Sequence, residues 1–339
     1  MNRTLLFSIS LLLSFSVSPL LAQHHALKQG NTLHVSQVLT HDPVMAKQGD
    51  TYYLFATGMG VSVMSSKDLK NWKFEKPVFD KAPQWAVASV KGYKGHTWAP
   101  DIIYHKGLYH LFYSCSTFAS NASAIGHATN PTLDPSDPDF KWTDHGKIIQ
   151  SVPNRDMWNA IDPNVVVDEA GTPWMTFGSF WDGIKMVKLT PDMMQIARPE
   201  EWYSLCRRNR TFALDDKNPG DGAVEAPFIM KHGDYYYLFV SFDYCCRGVK
   251  SNYKVMVGRS KTVTGPYLDK EGNSMAHGGG SLVIAGNEDW AGVGHNAAYH
   301  IDGKDYFVSH AYSMTDNGAS KLIIREISWS PDGWPVVRW

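Results

Sequence analysis

The chain repeats itself. His41-Asp42-Pro43, Trp98-Ala99-Pro100, Ile161-Asp162-Pro163 and Glu225-Ala226-Pro227 each open a short apolar run, then a turn, then an aromatic segment, and His295-Asn296-Ala297 is a degenerate fifth copy. The aromatic segments are alike as well, as in Gly49-Asp50-Thr51-Tyr52-Tyr53-Leu54-Phe55 and Gly233-Asp234-Tyr235-Tyr236-Tyr237-Leu238-Phe239. The copies lie roughly 57 to 70 residues apart, a period a little above that of kelch and WD-type blades. One such unit cannot bury its apolar surface alone, whereas five arranged in a ring can. The repeat therefore predicts an all-β chain folded as a five-bladed β-propeller, one domain over residues 34–339.

Each unit has the same local grammar: a first strand after the proline, a turn containing Gly or Asp, an aromatic second strand and a third strand ending in a polar turn. The fourth, outer strand is weakly marked, with candidates near Trp72, Trp142 and Tyr267. Residues 79–97, 130–160, 193–224 and 268–294 read as long loops that would form the rim of a funnel. Gly278-Gly279-Gly280 lacks the strand-to-helix setting of a phosphate-binding loop. Trp334-Pro335-Val336-Val337 is a candidate for closing the ring.

The formal net charge is −1 and the basic residues are scattered, so nothing points to nucleic acid as a partner. A monomer is expected. Residues 1–22 read as a signal peptide, with Arg3 ahead of an apolar stretch and Ala22 at the cleavage site. A membrane anchor is the alternative, and no other stretch is apolar enough to span a bilayer. The protein is accordingly expected to be exported, to the periplasm or the medium. Four cysteines (Cys115, Cys206, Cys245 and Cys246) form neither a disulfide framework nor a C-x-x-C metal pattern. Cys245 and Cys246 are expected as two reduced thiols rather than a strained vicinal disulfide.

Asp before Pro is a common turn-opening dipeptide. Yet the proline persists across the first four copies while the acid does not. Ala99 and Ala226 replace the aspartate, and blade four instead carries Glu225 one position earlier, where the other copies have His41, Trp98, Ile161 and His295. Innermost strands of a propeller line a central funnel, so Asp42, Asp162 and Glu225 are expected to converge there. Three carboxyls in a funnel suit glycoside hydrolysis. One, protonated, donates to the departing oxygen while another activates water or attacks. A third raises the donor's proton affinity by like-charge repulsion. Glutamate's reach suits the donor; spacing does not say which aspartate is the base. Trp98, Phe118, Asn159, Ser179, Phe180 and Trp181 offer aromatic faces and polar contacts for a sugar. His295 is placed to hold a hydrated cation on the funnel axis. No H-E-x-x-H or clustered His/Cys pattern occurs, so neither a catalytic metal nor an organic cofactor is expected.

Taken together, His41-Asp42-Pro43-Val44-Met45, Trp98-Ala99-Pro100-Asp101-Ile102, Trp158-Asn159-Ala160-Ile161-Asp162-Pro163, Gly178-Ser179-Phe180-Trp181, Val224-Glu225-Ala226-Pro227-Phe228, Cys245-Cys246-Arg247-Gly248 and Gly294-His295-Asn296 resemble the arabinanases of glycoside hydrolase family 43. The likeness runs from about residue 38 to the C-terminus. It implies a five-bladed propeller that hydrolyses α-1,5-linked arabinan with inversion, as an endo-arabinanase. By motif, Asp42 would be the general base, Glu225 the general acid, and Asp162 the residue that tunes the acid and orients the sugar. Asn159 and Ser179-Phe180-Trp181 would line the substrate site. His295 would help hold calcium, or another ion, through water. Inversion implies that the carboxyls of Asp42 and Glu225 lie about 6.5–9.5 Å apart. The rivals are an exo-acting arabinofuranosidase or xylosidase of the same family and a catalytically silent glycan-binding propeller. A retaining fructosidase fits less well, because Ile161-Asp162-Pro163 and Glu225-Ala226 differ from the Arg-Asp-Pro and Glu-Cys of those enzymes.

Overall fold

Five antiparallel sheets stand around one axis, built from consecutive strands except that Gly58–Met59, from within blade one, pairs into the sheet of blade two. A computed structural model describes residues 29–209 and 222–339; the segment read as a signal peptide lies outside them. The innermost strands are Val44–Gln48, His96–His105, Asn164–Val167, Val224–His232 and Trp290–Ile301, each leading by a tight turn into the aromatic second strand. Second strands are buried on both faces: Leu108–Cys115 and Tyr235–Phe242 each have only their first residue partly exposed. Burial on both faces follows from blades packing face to face, and it explains why these segments read as nearly unbroken apolar runs. The core is accordingly a set of layers between blades. Phe112, Ile125, Val165, Met175 and Phe177 join blades two and three, while Met45, Leu54, Met64, Val308 and Leu322 join blades one and five.

The outer strands correct the sequence reading in part. Asn71–Phe74 contains the fully buried Trp72, and Thr143–Ser151 begins just after Trp142. Tyr267, however, lies outside any strand; its ring is buried and its hydroxyl donates to the Val263 carbonyl at 2.7 Å. The outer strand of blade four is Ser281–Ile284. Three of the four segments read as loops thus hold outer strands (Thr143–Ser151, Trp202–Cys206 and Ser281–Ile284), and the fourth holds the short helix Gln84–Ser89.

The ring closes from both ends of the chain. The third strand of blade five, Ser320–Trp329, pairs along one half of its outer edge with Pro335–Val337. Along the other half it takes Val38–Thr40, through Leu322 N–H to Val38 O (3.0 Å) and Thr40 N–H to Ser320 O (3.1 Å). The expectation for Trp334–Val337 therefore holds for half the seam.

Innermost strands are sheet edges whose N–H groups would otherwise face the channel unsatisfied. Side chains of neighbouring blades supply the acceptors. Asp101 of blade two accepts Val165 N–H at 2.7 Å and Asn164 Nδ2 at 3.1 Å. Asn164 of blade three accepts Ile229 N–H at 2.9 Å, and the Tyr299 hydroxyl of blade five accepts Met45 N–H at 2.8 Å. Burial raises the Asp101 carboxyl to about 6.

Candidate active site

At the mouth of each innermost strand one residue adopts left-handed backbone: Asp42 (φ 55°), Ala99 (39°), Asp162 (57°), Ala226 (55°) and His295 (48°). For non-glycine residues this conformation costs roughly 1–2 kcal/mol each, so something must hold it. In four blades a side chain from the end of the preceding blade's second strand accepts that residue's N–H. Thr57 Oγ1 takes Ala99 N–H (2.9 Å), Ser114 Oγ takes Asp162 N–H (3.0 Å), Ser241 Oγ takes His295 N–H (2.8 Å) and His310 Nδ1 takes Asp42 N–H (3.1 Å). The matching position in blade three is Gly178, where a Cβ would lie 2.6 Å from the Gly183 carbonyl oxygen. No side chain fits there. Asp162 supplies the missing acceptor, its Oδ2 taking Ala226 N–H at 3.1 Å.

This ring corrects the alignment of the fifth repeat. His295, not Asn296, occupies the place of Asp42 and Asp162; Gly294 takes the place of Glu225, and Asn296 that of the prolines. Gly294 is required because a Cβ there would fall 2.2 Å from the Tyr253 ring. Tyr253, which nothing in the sequence marked, is buried and donates its hydroxyl to Glu225 Oε1 at 2.8 Å, while Ser179 Oγ donates to Oε2 at 2.7 Å. Hydroxyls can donate to a carboxylate and accept from a carboxylic acid, so these contacts serve Glu225 in either state.

The structure brings Asp42, Asp162, Glu225 and His295 together. His295 Nδ1 lies 3.0 Å from Asp42 Oδ1, and Thr57 Oγ1 donates to Asp42 Oδ2. Burial pushes the Asp42 carboxyl up, but His295, by its charge and its hydrogen bond, outweighs it and holds the group well below the usual carboxylate range. Burial opposes the charge on His295, yet the three acids raise its imidazole to about 9. Glu225 moves upward through burial and the Asp42 charge, against its two hydroxyl donors and His295. Asp162 rises to about 8, through burial and then Glu225 and Asp42 outweighing His295. One carboxylate fixed in its charged form therefore faces carboxyls disposed to keep protons.

The remaining sequence candidates take varied places. Asn159 is buried with its Oδ1 lacking a partner among the described residues, and Asn121 positions that turn by donating to the carbonyls of Asp156 and Trp158. Ser179 and Trp181 are buried, Phe180 is half-buried and its ring lies 5.9 Å from Tyr244. Trp98 is half-buried with its indole N–H on His96, and Phe118 is 79% exposed. Cys245 and Cys246 are joined to one another, contrary to the expected pair of thiols; the left-handed Cys246 (φ 62°) lets adjacent residues meet. A hydrated calcium ion would be met by His295 in its neutral form, with Asp42 taking Nδ1–H and Nε2 left to accept from a cation-bound water. Beside His295, Asn296 has both amide atoms buried without a partner among the described residues. His41, Asp42 and His310 also hold ligand atoms within 4.8 Å of one another, but His310 Nδ1 is committed to the Asp42 amide.

The sequence profile of glycosyl hydrolases family 43 matches residues 33–335. The chain belongs to that family. It is 52% identical, over 89% of its length and 87% of the relative's, to an extracellular exo-alpha-(1->5)-L-arabinofuranosidase of Cellvibrio japonicus. It is 43% identical, over 88% of each, to an extracellular endo-alpha-(1->5)-L-arabinanase of Bacillus subtilis. Among solved structures, a Cellvibrio cellulosa alpha-L-arabinanase complexed with arabinohexaose superposes with a TM-score of 0.88 at 52% identity, covering 89% of this chain and 96% of that one.

Proposed function

We propose that the protein is an exported, inverting glycosidase that cleaves α-1,5-linked L-arabinofuranosyl bonds in arabinan. The observation that carries this reading is the meeting of one ionised and two proton-retaining carboxyls at the funnel mouth, in a chain whose relatives are named for arabinan chemistry. The extracellular names of those relatives agree with export through residues 1–22.

In this mechanism Asp42 removes a proton from a water that attacks the anomeric carbon, and Glu225 gives its proton to the departing sugar oxygen. The carboxyls end with their protons exchanged relative to the start, and the anomeric centre is inverted. Asp162 holds the Ala226 amide next to Glu225 and, once ionised, would further favour the protonated form of Glu225, which the Asp42 charge already raises. Near His295, a calcium or other cation bound through water would supply compensating positive charge. Ser179, Phe180 and Asn159 border the acids and are assigned to the sugar.

Two modes of action remain in play, endo cleavage as the motifs imply and end-directed cleavage as in the 52% identical relative. Product analysis on linear 1,5-arabinan distinguishes them. A spread of oligosaccharides means endo action, and a single short product means end-directed action. Glu225→Ala should lower the rate at least about 100-fold, the scale of general acid catalysis. Undiminished cleavage by that variant overturns the assignment.

A further inference from the structure

The amide of Asp42 is latched by an imidazole, whereas the three other side-chain latches of this kind are hydroxyls. The difference has a chemical meaning. A hydroxyl latch accepts an N–H and still has a proton to give, as Thr57 does when it accepts from Ala99 and donates to Asp42 Oδ2. At His310 the proton is kept away. Nδ1 faces the Asp42 N–H and so must present its lone pair, which leaves the proton on Nε2, 3.2 Å from the Tyr312 hydroxyl. Tyr312 accepts that proton and the Cys246 N–H (2.7 Å), and its own hydrogen points to Cys246 Sγ at 3.8 Å. His310 and Tyr312 are buried, and the His41 ring lies 4.5 Å from that of His310.

We infer that His310 is a positioning residue for the catalytic base: held in its Nε2-protonated tautomer by Tyr312, it anchors the strained Asp42 backbone while giving the carboxylate no further hydrogen bond. Asp42 Oδ1 lies 3.6 Å from His310 Nδ1 and already takes His295, while Oδ2 takes Thr57. A third donor would compete with the water that Asp42 must deprotonate. This inference rests on the reading of Asp42 as general base.

The test is steady-state kinetics on arabinan oligosaccharides with four single variants and one double variant, and histidine ¹⁵N NMR for the tautomer. His310→Ala should lower kcat at least tenfold with KM within about twofold. His310→Asn, whose amide oxygen replaces Nδ1, should recover most of that loss. Tyr312→Phe should lower kcat severalfold and move proton density to His310 Nδ1. In an Asp42→Ala background, His310→Ala should cause no further loss. A kcat within twofold of wild type for His310→Ala, or an additive loss in the double variant, overturns the inference. Should His310→Ala fail to fold, wild-type kcat in Tyr312→Phe with the proton on Nδ1 does the same. Full activity of Asp42→Ala alone would instead remove Asp42 as the base, a separate failure.

Discussion

Asp162 is the residue whose chemistry is most open to measurement. It keeps its proton to about pH 8 in the folded chain, because burial and its acidic neighbours oppose ionisation, whereas an unfolded aspartate loses it near pH 4. Between those limits the folded state binds more protons, so stability falls as pH rises. Asp162→Asn removes this dependence and keeps an acceptor for Ala226 N–H. The variant should therefore gain in Tm over wild type from pH 5 to pH 8 while losing activity. A Tm difference that does not change with pH would refute the shift. The acids themselves were legible because each is written beside a repeated Pro or Ala-Pro, and a repeat that changes only at one place exposes what that place carries. Tyr253 and His310 were not. His310 lies inside a second strand, where one histidine in an apolar run looks like core, and Tyr253 directly precedes a third strand; only the ring closure in space turns them toward the acids.

Among elements, the strand-end hydroxyls govern the funnel. Ser114→Ala leaves the buried Asp162 N–H without its acceptor and should cost about 1–3 kcal/mol. Chemical denaturation would read this as a lowered midpoint at unchanged slope, with a drop in activity. Thr51, the partly exposed first residue of the second strand of blade one, provides the control: Thr51→Ala should do neither.

Blade two holds a second feature of this kind, the stacked His110, His127 and His145 on its second, third and fourth strands. Burial lowers His110 to about 4 and His127 to about 3. Unfolded histidines protonate near 6.5, so on acidification the unfolded state binds protons first and stability falls from about pH 6.5 downward. His127→Phe should flatten that decline, because it removes one of the buried imidazoles, while giving up the contact of its Nε2 with His110 Nδ1 (3.0 Å); an unchanged pH–stability slope would count against it. The sequence marked inner and second strands well because they are buried on both faces. It marked outer strands poorly: Thr143–Ser151 is mostly solvated, and Ser281–Ile284 is only four residues long. Neither a polar stretch like the first nor a run as short as the second stands out from a loop.

For the whole molecule, the seam in blade five is the weak point. A chain ending at Ser330 would lose Pro335–Val337 and the buried Trp334, which packs against Tyr237 of blade four. Such a truncation should unfold at markedly lower temperature, and calorimetry would settle it; a Tm equal to that of the full chain would mean that Val38–Thr40 alone seals the ring.

Since Val38–Thr40 and Pro335–Val337 lie against the same strand, Leu322 meeting Val38 and Ile327 meeting Val337, the first and last parts of the propeller meet there, and the residues before Val38 go on to pair with the outer strand of blade one. Where the chain is cut should then matter little. Residues 29–339 joined tail to head by about 10 flexible residues, enough to reach roughly 17 Å, could begin instead at the exposed Gly171 turn and still assemble the same funnel. The order in which the acids occur along the chain would change, and their meeting place would not.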